Sequence, residues 1–149
     1  MKINFTKKQF ETLLKIVYLG NWLANAIRGG QGGPPRIKKF DELEKYIFSF
    51  AKDFGLEKYI HIERDKIYPS IKLEEDEEIQ GCIDDYNDEN FWEDLVYKLA
   101  RRDLLEKYGE ETVRKMDFKE RIEKEHPFLE KYYDEIGEHG LMRLKIKDN

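Results

Sequence analysis

The stretch from residue 13 to residue 27 constrains this chain more than any other. Eleven of its 15 residues are apolar, in a chain of 149 residues of which 40% are charged. That contrast predicts a helix that is buried on most of its sides. Thr6 and Gln9 have the spacing of a capping box, so we expect the helix to begin directly after Thr6. Gly29 is a natural C-cap residue and predicts that the helix ends with Arg28.

A polar strip lies on the last two turns of this predicted helix. At about 100° per residue, Asn21, Asn25 and Arg28 continue the face that Phe10 and Leu14 begin. A buried amide without a partner costs about 1–3 kcal/mol, so these side chains need partners. One hypothesis is that they bind a ligand or a partner's backbone, with Arg28 holding a small anionic ligand. The alternative, which is the commoner case, is that they are paired within the domain.

Further helices are predicted along the chain. Asp41 and Glu44 repeat the capping-box spacing ahead of an apolar series that ends at Gly55. Similar spacing predicts helix starts at Asn90 and Asp117. Pro127 is expected to interrupt the last helix, because the residue before a proline resists the helical state.

Three short segments have β-type patterns. Residues 59–62 and 67–71 flank a turn-like Arg64-Asp65-Lys66, and residues 141–146 alternate in part. The sequence therefore predicts a mainly α fold: four to five helices packed around a buried N-terminal helix, with a small β element at about 59–71 and 141–146. A length of 149 residues predicts a single helical domain over 1–149.

Composition narrows the functional classes. A net charge of −5 and the absence of a basic arm argue against duplex DNA as a partner. The single cysteine, Cys82, excludes an internal disulfide and favours a reducing cytoplasm. Charged and polar residues interrupt the apolar stretch at 13–27, which argues against an export signal or a membrane span. The abundance of Lys and Glu gives a thermophile-like composition.

Two segments resemble known ligand loops only superficially. The glycine-rich loop at 29–35 lacks the Gly-Lys-Ser/Thr of a phosphate-binding loop, so we interpret it as a flexible connector that could order on binding. An EF-hand register starting at Asp85 places Asn90 where glycine is needed and Val96 where the bidentate glutamate is needed. A solvated acidic surface is the simpler interpretation of residues 84–89.

Catalytic residues are hard to nominate. The three histidines are far apart in sequence, and the flanks of Cys82 suggest a buried or half-buried structural thiol. Arg101, next to Arg102 and Asp103, is a further candidate for ligand binding, although a surface salt bridge is its more usual role.

These observations favour a non-catalytic binding or regulatory module in the cytoplasm, acting through a helical surface. A protein partner or self-association as a homo-oligomer fits the aromatic content best, since Tyr, Trp and Arg dominate interface energetics. We expect no metal and no cofactor. The ligand-binding candidates are Asn21, Asn25, Arg28 and Arg101. The enzymatic alternative is a divalent-metal-dependent hydrolase or phosphoryl-processing enzyme that uses the carboxylates of Asp84, Asp85, Asp88 and Glu89.

Overall fold

The computed structural model describes residues 3–145. These residues form six α-helices and one β-hairpin, in the order α1 (Lys7–Asn25), α2 (Lys38–Ser49), β1 (Ile60–Glu63), β2 (Lys66–Pro69), α3 (Ile71–Glu74), α4 (Glu77–Tyr108), α5 (Glu110–Lys115) and α6 (Phe118–His139). The predicted class, mainly α with a small β element, is confirmed.

Two compact units make up the chain, Met1–Asp85 and Tyr86–Asn149. We call them unit 1 and unit 2, and α4 contributes residues to both. The single domain over 1–149 stays a prediction, because two compact units on one chain can fold together or separately.

Helix α1 begins where the sequence predicts. The backbone N–H of Gln9 donates to Thr6 Oγ1 at 3.3 Å, and the backbone N–H of Thr6 donates to Gln9 Oε1 at 2.9 Å. The two bonds form a complete capping box. The helix ends at Asn25, earlier than the predicted Arg28.

The predicted burial of α1 on most of its sides is confirmed, because between Leu13 and Asn25 only Ile16, Gly20 and Leu23 are exposed. Phe10 and Leu14 are buried, but Ile16, Leu23 and Ile27 are 60%, 53% and 79% exposed. The core of unit 1 is built by α1 with α2, the 3₁₀ turns at Ala51–Phe54 and Glu57–Tyr59, α3 and the first turns of α4, and it leaves a narrow stripe of α1 exposed. The apolar residues of the chain's second half, which we expected around α1, form a core of their own.

The hairpin of unit 1 confirms the β prediction at 59–71. Strands β1 and β2 pair antiparallel, with Ile60 opposite Pro69 and Glu63 opposite Lys66. Arg64 and Asp65 both have positive φ, 48° and 62°, as a tight two-residue hairpin turn requires.

The prediction of a terminal strand at 141–146 is wrong. Residues 141–143 form turns, and residues 144 and 145 adopt no regular structure. Ile146 lies outside the described residues. The helix α6 ends at His139, and Gly140 follows with a φ of 56°, which turns the chain where the sequence was expected to extend.

Unit 2 contains most of α4, with α5 and α6. Its core joins Val96 and Ala100 of α4 to Tyr132 of α6. Asp117 caps α6 as predicted, accepting from the Glu120 N–H at 2.8 Å. Two expected breaks are absent: α4 runs through the acidic segment and past Asn90 without interruption, and α6 runs through Pro127. A proline inside a helix removes a backbone hydrogen bond, and the packing of α6 against α4 on the C-terminal side of Pro127 offsets that loss.

Candidate functional site

The polar strip of α1 is buried and paired within unit 1. Asn21 and Asn25 are 7% and 2% exposed. The Asn25 amide donates to Asn21 Oδ1 at 2.8 Å, and the Asn21 amide donates to Asp41 Oδ1 at 3.2 Å. Asn25 Oδ1 accepts the backbone N–H of Ile37 at 2.8 Å. Two asparagines one helical turn apart therefore join α1 to the start of α2.

The Ile37 bond explains why α2 starts earlier than predicted. Asp41 and Glu44 have the spacing of a capping box, but α2 begins at Lys38 and the residue before it, Ile37, makes no side-chain cap. The carboxamide of Asn25 contacts that end of the helix instead. Asp41 and Glu44 lie inside α2, so their side chains are free for other contacts.

Asp41 is the acceptor at the centre of this network. Arg36 donates to it twice, from Nε to Oδ2 at 3.0 Å and from a terminal nitrogen to Oδ1 at 2.6 Å. These bonds from Arg36, with that from Asn21, hold the pKa of the Asp41 carboxyl below its usual range despite partial burial. The Arg36 guanidinium is thereby committed to a bidentate pair.

Arg28 is engaged by backbone carbonyls. Its Nε donates to the carbonyl oxygen of Ala24 at 3.0 Å, and a terminal nitrogen donates to that of Pro35 at 3.3 Å. The Gly29 N–H also donates to the Pro34 carbonyl at 2.9 Å, so both ends of the glycine-rich loop are tied together. Gly29 has a φ of 78°, and a Cβ there would meet the Arg36 side chain at 2.9 Å. Arg28 therefore organises the loop.

A cavity of about 660 Å³ opens beside this network in unit 1. Its size falls within the usual range for small-ligand sites. Three kinds of side chain line it: the aromatic residues Tyr18, Trp22 and Tyr68, the acidic residues Asp41, Glu44 and Glu74, and the basic residues Arg28, Arg36 and Lys45.

Glu44 is the unusual member of this lining. It is 9% exposed, and no described residue donates a hydrogen bond to its carboxylate at a regular hydrogen-bonding distance and angle. Burial raises the pKa of the Glu44 carboxyl, and the Asn21 amide nearby opposes that rise. Burial, with the negative charges of Glu74 and Glu44, also raises the pKa of the Tyr18 hydroxyl. Sequence reasoning missed Glu44 as a site residue because its spacing from Asp41 imitates a helix cap.

Arg101 belongs to unit 2 and is not among the residues that line this cavity. It is half-buried on α4, and one terminal guanidinium nitrogen is buried without a hydrogen-bond partner among the described residues. The structure thus brings Asn21, Asn25 and Arg28 together within unit 1, whereas Arg101 is part of unit 2. Ligand binding by any of the four stays a prediction.

The neighbours of Arg101 form an ion-pair network instead. Tyr132 donates to Asp103 Oδ2 at 2.6 Å, Arg102 donates to Oδ1 at 2.8 Å, and Lys131 donates to Oδ2 at 3.0 Å. Burial alone would raise the pKa of Asp103, but these three donors outweigh it and lower the pKa to about 2. The network ties α4 to α6 within unit 2.

The acidic segment lies on the solvent-facing surface of α4. Asp84, Asp85, Asp88 and Glu89 are exposed, and Asp88 accepts a hydrogen bond from the Trp92 indole at 3.1 Å. Within residues 3–145, no three His, Cys, Asp or Glu side chains converge as a metal site would require. The metal-dependent hydrolase stays a prediction.

Neither Cys82 nor any of the three histidines is fully buried. Cys82 is exposed on α4, so the prediction of a buried or half-buried thiol is wrong. His61 and His126 are exposed and His139 is half-buried.

No helix in the described part of the chain combines the length and apolar character needed to cross a membrane.

Comparison with known proteins identifies no relative of this chain. No protein-family model matches this chain, and neither the curated proteins nor the solved structures give a significant match.

Proposed function

We propose that this chain is a non-catalytic cytoplasmic binding module that self-associates through the exposed side of α1. The observation that carries the proposal is an apolar surface on the side of α1 opposite the core. We call it the α1 face; its large members are Ile3, Phe5, Ile16, Leu23, Ile27, Phe40 and Leu43.

The α1 face is continuous along the helix. Ile16 and Leu23 lie seven residues apart, which places them on one side of α1, and Ile27 follows in the turn directly after the helix. A groove of about 240 Å³ beside α2 extends the surface to Phe40 and Leu43. A second hollow of about 460 Å³, lined in part by Ile3 and Phe5, extends it toward the N-terminus.

The α1 face has the scale of an interface. Monomeric proteins rarely expose more than a few hundred Å² of contiguous apolar surface, and each partner in a standard interface buries roughly 800 Å². The seven members of the α1 face are between 37% and 79% exposed, and all are large side chains.

Association would desolvate little charge along α1 itself. Between Thr12 and Ile27 the charged residue is Lys15. Its ammonium is already paired with Asp76 and Glu78, at 2.7 Å from each. In a chain that is 40% charged, an uncharged helix face of this length favours contact with another apolar surface over contact with water.

The α1 face suits a second copy of the same chain. The two exposed large residues of α1, Ile16 and Leu23, lie four and three residues to either side of Gly20. Two α1 helices crossing antiparallel at Gly20 would therefore set like against like, as a two-fold interface requires. A Cβ at Gly20 would meet no heavy atom of its own chain within 4 Å, so the helix backbone is open to close approach there.

Sedimentation equilibrium over a range of protein concentrations tests the proposal. We expect the wild type to show a reversible dimer and Ile16→Glu to remain monomeric, because a charge would be buried at the interface. Ile71→Glu is the matched control: Ile71 is 69% exposed, lies in unit 1 and is outside the α1 face. A wild type that stays monomeric at millimolar concentration, or equal loss of dimer in both variants, contradicts self-association through α1.

A further inference from the structure

The cavity of unit 1 has a buried carboxylate, Glu44, that forms no ion pair with any described residue. Glu44 lies nine-tenths buried in its lining, and no described residue donates a regular hydrogen bond to it. A buried carboxylate is costly unless a cation or hydrogen-bond donors compensate it. Asp41, one turn earlier on the same helix, accepts from Arg36 and both asparagines, so it has a cationic partner in contact, whereas Glu44 has only the nearby Asn21 amide among the described residues.

The basic residues of the lining do not fill this gap. Arg36 is committed to Asp41, and Arg28 donates to two backbone carbonyls. Lys45 is exposed to water, where its ammonium is already well solvated. The buried and unmatched charge of the cavity is therefore negative, which favours a cationic ligand over the small anionic ligand expected from Arg28.

The remaining lining suits an organic cation better than a metal ion. Tyr18 and Trp22 are half-buried on α1, and Tyr68 on β2 lies at the edge of the cavity. Aromatic faces attract ammonium groups and contact alkyl chains at the same time. Glu74 of α3, which also lines the cavity, is exposed and supplies a second carboxylate for a second amino group.

We propose that this cavity binds a small alkylammonium ligand, whose ammonium donates to Glu44 and whose carbon chain contacts Tyr18, Trp22 and Tyr68. The cavity shares only Asn21 with the groove that extends the α1 face, and Ile16 and Glu44 belong to one surface each, so Ile16→Glu and Glu44→Gln test the two proposals separately. A ligand with two amino groups engages Glu74 as well and binds more tightly than a monoamine.

Trp22 supplies the readout. The chain has two tryptophans, and Trp92→Phe leaves Trp22 as the only indole that reports on fluorescence. In that background we titrate with n-butylamine, diaminobutane, n-butanol and butyrate. We expect saturable changes with the two amines, tighter for diaminobutane, and none with the alcohol or the carboxylate.

Glu44→Gln is the deciding variant, because it keeps the size and polarity of the side chain and removes its charge. We expect amine affinity to fall at least tenfold, whereas Glu42→Gln, an exposed neighbour on α2 outside the cavity lining, leaves it unchanged. Glu44→Asp, which keeps the charge, serves as a second variant and is expected to retain part of the binding. Absence of saturable amine binding, equal binding by Glu44→Gln and wild type, or preferential binding of butyrate would overturn the proposal.

Discussion

Asn25 and Ile37 are joined by a hydrogen bond of 2.8 Å, from the backbone N–H of Ile37 to the side-chain oxygen of Asn25. This bond links the last residue of α1 to the residue that precedes α2. It satisfies a backbone donor at a helix start that has no side-chain cap of its own. The same asparagine donates to Asn21, so one buried carboxamide positions both helices and the polar wall of the cavity.

Asn25→Ala should therefore be strongly destabilising. It removes three hydrogen bonds and leaves the Ile37 N–H and Asn21 Oδ1 without partners, which we expect to lower the free energy of unfolding by about 2–3 kcal/mol. Urea denaturation followed by circular dichroism measures the change. Asn87→Ala, at an exposed position on α4, is the control and should be neutral or slightly stabilising. A loss below 0.5 kcal/mol, as an order of magnitude for a surface substitution, would show that the network contributes little.

The bond between Ile37 and Asn25 also explains why the start of α2 is predicted wrongly from the sequence. The spacing of Asp41 and Glu44 is a sound local indication of a helix cap, and the same logic is right at Thr6 and Asp117. At α2 it fails because a side chain 12 residues earlier in the chain determines where the helix begins. Local spacing carries no information about such a tertiary contact, so the role of Glu44 in the cavity could not be predicted.

The burial of α1 could be predicted from the sequence only in part. Its apolar richness predicted a helix, and the face that carries Phe10, Leu14, Asn21 and Asn25 is indeed buried. A narrower stripe through Ile16 and Leu23 is also apolar but exposed, because an apolar pattern predicts that a surface avoids water and does not predict what covers it. The cluster of Asn21, Asn25 and Arg28 was foreseen, whereas the cavity beside it depends on the hairpin and α3.

Asp103 should make unit 2 sensitive to acid. Its pKa is lowered from 3.8 to about 2, so the folded state favours the charged carboxylate. The stabilisation is fully present above the unfolded pKa and is lost as the pH falls from about 4 through about 2, and it amounts to about 2 kcal/mol. Asp103→Asn should lose this amount at pH 7 and show a flatter pH dependence below 4.

Asp94→Asn is the comparison for Asp103. Asp94 lies on the same helix and pairs with Lys98 one turn later, but both side chains are exposed, so its removal should cost less than about 0.5 kcal/mol. Thermal unfolding of both variants between pH 2 and pH 7 measures the difference. Parallel pH profiles for wild type and Asp103→Asn would contradict a special role for the Asp103 network.

Glu44 should affect the pH dependence of stability in the direction opposite to Asp103. Burial raises its pKa above the ordinary 4.5, so the folded state holds its proton at a pH where the unfolded chain has released it. Glu44 therefore opposes folding as the pH rises above 4.5, and Glu44→Gln should be more stable than wild type at pH 8 and lose that advantage toward pH 4. The charged and titratable groups of the same cavity are Tyr18, Arg28, Arg36, Asp41, Lys45, Tyr68 and Glu74. Chemical denaturation at the two pH values measures the difference, and a variant less stable than wild type at pH 8 would contradict the unpaired state of Glu44.

Gly20→Ala should raise the stability of the monomer and weaken the dimer. An added Cβ would meet no neighbour within 4 Å, so the monomer should gain about 0.5–1 kcal/mol from higher helix propensity. The dimer should weaken, because the extra methyl group separates two backbones that approach at this position. Gly81→Ala, at another open glycine within a helix of unit 1, should give a similar gain in stability and leave association unchanged. Unfolding at low concentration and sedimentation at high concentration measure the two effects.

Disulfide trapping at Gly20 tests self-association through α1 most directly. The exposed Cys82 is first replaced by serine, and cysteine is then introduced as Gly20→Cys or, in the control, as Gly81→Cys. A two-fold antiparallel crossing at Gly20 brings the two Cα atoms close enough for a disulfide, which requires a separation of roughly 4.4–6.8 Å. The cysteine side chain weakens association as the alanine of Gly20→Ala does, but each dimer that forms places the two thiols together, so we predict faster formation of a covalent dimer by Gly20→Cys than by Gly81→Cys under mild oxidation. Equal rates of cross-linking in the two variants, or none at Gly20, would contradict the α1 face as the site of self-association.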